Sequence, residues 1–220
     1  DLHKEEEEEE MNYKNWGEQE PGLLSVCRSL GYTVFTKLQD YDLNLIGVRS
    51  PSRIAGRFDD RFYVIYREQG QWIQEDYECT TDASMEQHLD PTNKKGVAIL
   101  KAGQYRGVWK LDMHRGKYLA LCQRGAVVTV YRDNNEDGIS DHDNNEDGIS
   151  DHVSEDTGWF GLNCHRAHPY KLVDSTQYYS SGCQVIRSPV DWARLISLCH
   201  LQYHHGLGDK YSYTLLENPV

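Results

Sequence analysis

The chain has 220 residues, 38% of them hydrophobic and 11% aromatic, with a formal net charge of −12. This is a globular composition, long enough for one domain with a substantial core or two small ones, and it excludes a disordered chain. No apolar run approaches the ~18 residues of a membrane-spanning helix, and no basic stripe of the kind that binds nucleic acid is present.

In chain order, residues 1–20 come first, with Glu5 through Glu10 unbroken and a local charge of −7. Like charges repel, so this segment reads as a flexible, solvated acidic arm, with a docking tail for a basic partner or cation as the functional alternative. The chain opens with acid rather than a basic segment followed by an apolar one. A removed signal, another export route and a cytoplasmic location are all open on that ground.

Pro21-Gly22 starts a helix over Leu23–Leu30 that Gly31 stops. Short stretches rich in β-branched and aromatic residues then predict strands at Tyr32–Phe35, Leu43–Val48, Phe62–Tyr66, Val97–Leu100, Tyr118–Cys122 and Val127–Tyr131. Trp159–His165 and Tyr211–Leu216 read as two more. Trp192, Leu195, Ile196 and Cys199 recur at helical spacing within Asp191–His200. The expectation is a single mainly β domain over 21–220, a sandwich or barrel with a short helix near each end.

Residues 133–142 read DNNEDGISDH, and residues 143–152 repeat them letter for letter. Residues 133–156 carry ten acids and no Lys or Arg, which with the acidic arm leaves the rest of the chain at +5. Each copy holds Asp-x-Asn-x-Asp-Gly-x-x-Asp: Asp133, Asn135, Asp137 and Asp141 in the first, and Asp143, Asn145, Asp147 and Asp151 in the second. Calcium takes six to eight hard oxygen ligands, and side chains at loop positions 1, 3, 5 and 9 converge when the chain turns sharply at a glycine in position 6. Gly138 and Gly148 sit there, and position 7 offers the carbonyls of Ile139 and Ile149. The glutamate that closes an EF-hand loop is absent, with Asn144 and Ser154 in its place. The pattern resembles the calcium loops of dockerins and thrombospondin type 3 repeats. The expectation is a structural calcium insertion, against the plain alternative of a disordered acidic insert.

The six cysteines form no Cys-x-x-Cys, so a structural zinc site is not expected. Most read as core thiols, with one or two disulfides left open. Cys183 stands apart because it follows Ser180-Ser181-Gly182 and precedes an apolar strand start. A glycine before a nucleophile lets backbone amides turn toward a reacting carbonyl, and a nucleophilic thiol needs a base in reach. His165 is the candidate base. His168 precedes Pro169 in a loop and is weaker, and His114 could line the cleft, although no spacing rule supports it. A papain-type order, cysteine before histidine, is not followed. No phosphate-binding Gly-x-x-x-x-Gly-Lys or dinucleotide-binding Gly-x-Gly-x-x-Gly motif occurs.

Residues 158–187 resemble the L,D-transpeptidases of the YkuD type, which carry a histidine, a spacer of this order and then Ser/Thr-His-Gly-Cys. Here 14 residues, 166–179, separate His165 from Ser180-Ser181-Gly182-Cys183. The resemblance implies that Cys183 is the acylated nucleophile, that His165 is its base, and that the backbone around Ser181, Gly182 and Cys183 forms the oxyanion hole. It further implies acyl transfer to an amine, or hydrolysis, on peptidoglycan stem peptides, in an extracellular or cell-envelope protein of bacterial or phage origin, without a catalytic metal. Ser181 stands where the family has histidine, Gln184-Val185 where it has Asn or Arg, and Arg166 where a small residue is usual, which bears on substrate choice. The competing expectation is a non-catalytic, calcium-stabilised surface, virion or filament protein on the same β domain.

Overall fold

Among the described residues the alternating segments become twelve strands and three α-helices. The computed structural model describes residues 13–136, 139–140 and 153–217. In order these are β1 (Tyr13–Gly17), α1 (Gly22–Ser29), β2 (Asn44–Arg49), β3 (Asp60–Glu68), β4 (Gln71–Thr80), α2 (Met85–Leu89), β5 (Val97–Leu100), β6 (Gly103–His114), β7 (Tyr118–Gln123), β8 (Val128–Asp133), β9 (Val153–Gly158), β10 (Cys164–Arg166), β11 (Gln184–Ile186), α3 (Pro189–His204) and β12 (Tyr211–Glu217). The protein is mainly β. No helix among the described residues is long and apolar enough to cross a membrane.

The main sheet runs β1-β4-β11-β10-β7-β6-β12-β2-β3, and β3 pairs back onto β4, so eight strands close on themselves. Closure removes sheet edges that would otherwise recruit other strands. Most neighbours are antiparallel, whereas β10–β11 and β12–β2 are parallel. Strands β5, β8 and β9 form a separate three-stranded sheet.

Period-2 alternation decides which side chains face which layer. On β3, Phe62, Val64 and Tyr66 enter the main core, while Tyr63 and Ile65 turn toward Leu24 and Cys27 of α1. Trp109 and Tyr213 stack at 4.5 Å and Tyr213 and Phe62 at 5.7 Å, filling the core with aromatic rings. Helix α3 adds Trp192, Leu195, Leu198 and Cys199 to the same cluster. Its N-cap Ser188 accepts the amides of Val190 and Asp191, and Pro189 follows at the first helical position. Arg194 on α3 reaches buried Glu75 on β4 at 2.7 Å, and Tyr66 and Tyr77 each donate a hydroxyl to that carboxylate at 2.6 Å.

Three expectations need correcting. Residues 13–17, read as part of the acidic arm, form β1 on the edge of β4, with Tyr13 opposite Glu75; residues 1–12 lie outside the described residues. Tyr32–Phe35 joins no ladder, because side chains take up its polar groups: Gln104 bonds both the amide and the carbonyl of Thr33, and Asn44 accepts the Phe35 amide. Trp159–His165 enters a strand only at Cys164, since the Gln123 side chain accepts the amides of Phe160 and Leu162 and holds the preceding residues as a loop.

The acidic repeat connects β8 to β9, which pair antiparallel from Asp133↔Val153 to Val128↔Gly158. The insertion is therefore the connection of a hairpin in the small sheet.

Candidate active site

Strands β10 and β11 build the site. Their parallel register matches Cys164 with Gln184 and His165 with Val185. The Gln184 amide bonds the Asn163 carbonyl at 3.0 Å, so Asn163 and Cys183 flank the ladder at matching positions. Alternation then sends Cys164 and Gln184 to the core, where Tyr213 donates its hydroxyl to Gln184 Oε1 at 2.7 Å, and sends Asn163, His165 and Cys183 to the opposite face. Cys183 and His165 are one diagonal step apart on adjacent parallel strands. The Cys183 thiol donates to the Gly161 carbonyl at 3.6 Å, and no hydrogen bond joins it to His165.

The register extends across β7 to β6. The His114 ring stacks on the His165 ring at 4.4 Å. Hydrogen bonds assign both tautomers. His165 Nδ1 lies 2.8 Å from the Arg166 carbonyl, which can only accept, so Nδ1 carries the proton and Nε2 keeps its lone pair. Asn163 Oδ1 accepts the Gln123 amide at 2.8 Å, so the Asn163 NH2 faces His114 Nδ1 at 3.1 Å. His114 Nδ1 is therefore the acceptor and Nε2 carries its hydrogen. The face thus presents one imidazole able to take a proton beside one able to donate a hydrogen bond.

Burial holds both rings neutral. It lowers His165 to about 3, with His114 and Arg115 acting in the same direction against the Arg166 hydrogen bond. Burial also lowers His114, aided by Arg115 and Lys117. The Cys183 thiol is pushed up to about 11 by burial, against an amide hydrogen bond from Asn163 and the Arg115 charge, both of which favour the thiolate. All six cysteines are free, and Cys183 is the one that is not buried.

Ser180 locks the turn that carries Cys183. Its hydroxyl lies 2.8 Å from the Asp82 carbonyl and 2.9 Å from the Cys183 carbonyl and accepts the Gly182 amide at 3.1 Å, while its carbonyl accepts the Ser84 amide at 2.9 Å. The Gly182 amide is thereby engaged, so of the expected oxyanion donors it is not free. Gly182 has φ +118°, and a Cβ there would collide with the Ala98 carbonyl oxygen. Ser181 is exposed and lines a separate cavity of about 340 Å³ with Leu162 and Trp159.

Of the expected calcium ligands, Asp133, Asn135 and Ile139 are described, whereas Asp137, Asp141, Asp143, Asn145, Asp147, Ile149 and Asp151 lie outside the described residues. Asp133 is buried at the end of β8 with Oδ2 3.2 Å from His88 Nδ1, and its Oδ1 accepts the Asn135 amide at 3.4 Å. Ile139 is held through its backbone, which bridges Ile54, while its side chain is exposed. No group of three or more metal-ligating side chains occurs among the described residues. Asp133, expected as a calcium ligand, is paired with His88 in the fold.

Sequence reasoning missed Asn163, named Ser180 only as part of the motif before Cys183, and left His114 without a rule. The usable signal was the hairpin turn His114-Arg115-Gly116-Lys117, where Arg115 and Gly116 both take positive φ and so aim the strand ends at the site.

No protein-family model matches the chain, no curated protein matches it, and no solved structure matches it.

Proposed function

We propose that the protein is a cysteine-dependent acyltransferase or hydrolase acting on peptidoglycan stem peptides, similar to the L,D-transpeptidases, with calcium bracing the hairpin insertion. The observation that carries this reading is the parallel β10–β11 pairing. It sets the one half-buried thiol, the other five being buried, and a histidine with a free Nε2 lone pair on the same face of the sheet. In this mechanism Cys183 attacks the acyl carbonyl, its proton passes to His165 Nε2, and the resulting His165 imidazolium returns that proton to the departing amine, with the His114 ring stacked alongside. Thiol and imidazole are both neutral at rest, so proton transfer accompanies attack rather than preceding it. The thiol must first turn away from the Gly161 carbonyl. Calcium, held by the repeat's remaining carboxylates, would supply charge neutralisation to a segment with ten acids.

Alkylation with iodoacetamide tests this. Cys183 should react far faster than the five buried thiols, and His165→Ala should remove the difference. Because the thiol is raised, the rate should climb with pH toward about 11. Uniformly slow labelling of all six would instead favour a non-catalytic structural protein.

A further inference from the structure

The β6–β7 turn does more than aim His114. Arg115, Lys117 and Arg166 surround the two stacked imidazoles and line, with Tyr178 and Tyr179, a cavity of about 180 Å³. No carboxylate lines it. Among the described residues none of these three cations forms an ion pair; Arg115 and Lys117 are exposed, whereas Arg166 is half-buried, a setting in which most arginines of this protein are paired, as Arg49 is with Glu217 and Arg194 with Glu75. Arg166 instead lays its guanidinium over the Tyr118 ring at 4.0 Å, which fixes its plane and leaves its N–H groups free to donate. The positive field reaches each reacting group, because Arg115 acts on His114, His165 and Cys183 alike.

Three cations held together without a counter-ion repel one another, and a ligand anion relieves that repulsion. We propose that this cavity is a carboxylate subsite, which binds a free carboxylate of the peptide beside His165, the base proposed for Cys183. The inference rests on the proposed acyl-transfer reading and sharpens it: the substrate carries an unamidated carboxylate close to the reacting bond. A carboxylate matches the planar, bidentate donor fork of arginine, and the cavity has the size of one amino-acid residue.

Paired alkylating agents separate the two ideas. Iodoacetate and iodoacetamide deliver the same carbon electrophile, with and without a carboxylate. Each rate at Cys183, read by peptide mass spectrometry, is divided by that of glutathione. The ratio of iodoacetate to iodoacetamide should exceed that of glutathione by roughly tenfold or more at low salt and fall as salt is added. It should return to the glutathione value in the double variant Arg115→Asn, Lys117→Ala, where asparagine tolerates the left-handed backbone at position 115. Arg166→Gln should lower it in part. Fast iodoacetamide labelling with a ratio equal to that of glutathione overturns the subsite and leaves the nucleophile standing. A high, cation-dependent ratio with labelling indifferent to His165→Ala keeps the subsite and removes the proposed base.

Discussion

His88 offers the sharpest test of the electrostatics. Its side chain is 1% exposed and lies between two carboxylates, with Nδ1 3.2 Å from Asp133 Oδ2 and Nε2 3.1 Å from Asp82 Oδ1. Carboxylates only accept, so both ring nitrogens donate and the imidazole is charged. Burial works against that charge, but the hydrogen bonds to Asp133 and Asp82 outweigh it and raise the group from 6.5 to about 9. Because the folded value lies above the unfolded one, the stabilisation is complete below about pH 6.5 and is lost as pH rises through about 9. At 1.4 kcal/mol per pH unit, the loss is on the order of 3 kcal/mol. Urea unfolding of the wild-type protein between pH 6 and 10 reads the stability, and the NMR signal of the His88 ring reads the titration. Asp133→Asn, which removes one of the two charged partners, should bring the midpoint of that titration down. A His88 ring that titrates near 6.5, or stability that stays flat from pH 6.5 to 9.5, would refute the reasoning.

Other outcomes follow from single contacts. Gly182→Ala places a methyl against the Ala98 carbonyl at φ +118°, so it should cost at least about 1–3 kcal/mol in chemical denaturation and slow Cys183 alkylation through a displaced turn. Arg194→Leu leaves Glu75 buried without its cation and should cost about 3–5 kcal/mol. Burial opposes the Glu75 charge, but Arg194, Tyr66 and Tyr77 hold its carboxyl below the usual range. The wild type therefore carries a stabilisation that is present above about pH 4.3 and lost in more acid solution, and the variant should lack it. Calcium added to chelated protein at a hundredfold excess over Kd should stabilise by about 2.7 kcal/mol, seen as a rise in Tm of roughly 5–10 °C. An unchanged Tm would argue that the repeat holds no ion coupled to folding.

Local pattern was enough for the strands whose side chains alternate cleanly. Val97–Leu100 is read with the same limits in sequence and structure, and β3 and β12 differ only at their ends. It failed for β4, Gln71–Thr80, whose polar residues hide a strand until Arg194 and two tyrosines neutralise Glu75. It failed also for β6, a 12-residue strand that no apolar run marks. In the opposite direction, Tyr32–Phe35 has strand composition, yet distant amide side chains take up its hydrogen bonds.

The sequence by itself determined that the chain is mainly β, that an acidic repeat interrupts two late strands, and that Cys183 and His165 stand out as a pair. These are properties of neighbouring residues, and composition and spacing express them directly. Only the tertiary structure decided that β10 and β11 run parallel, which puts thiol and imidazole on one face, and that β6 lays His114 over His165. It also decided that Asp133 is spent on His88 and that Arg115, Lys117 and Arg166 surround one cavity. Each of these depends on strand register between segments tens of residues apart, and a one-residue slip in that register would turn every one of those side chains to the other face.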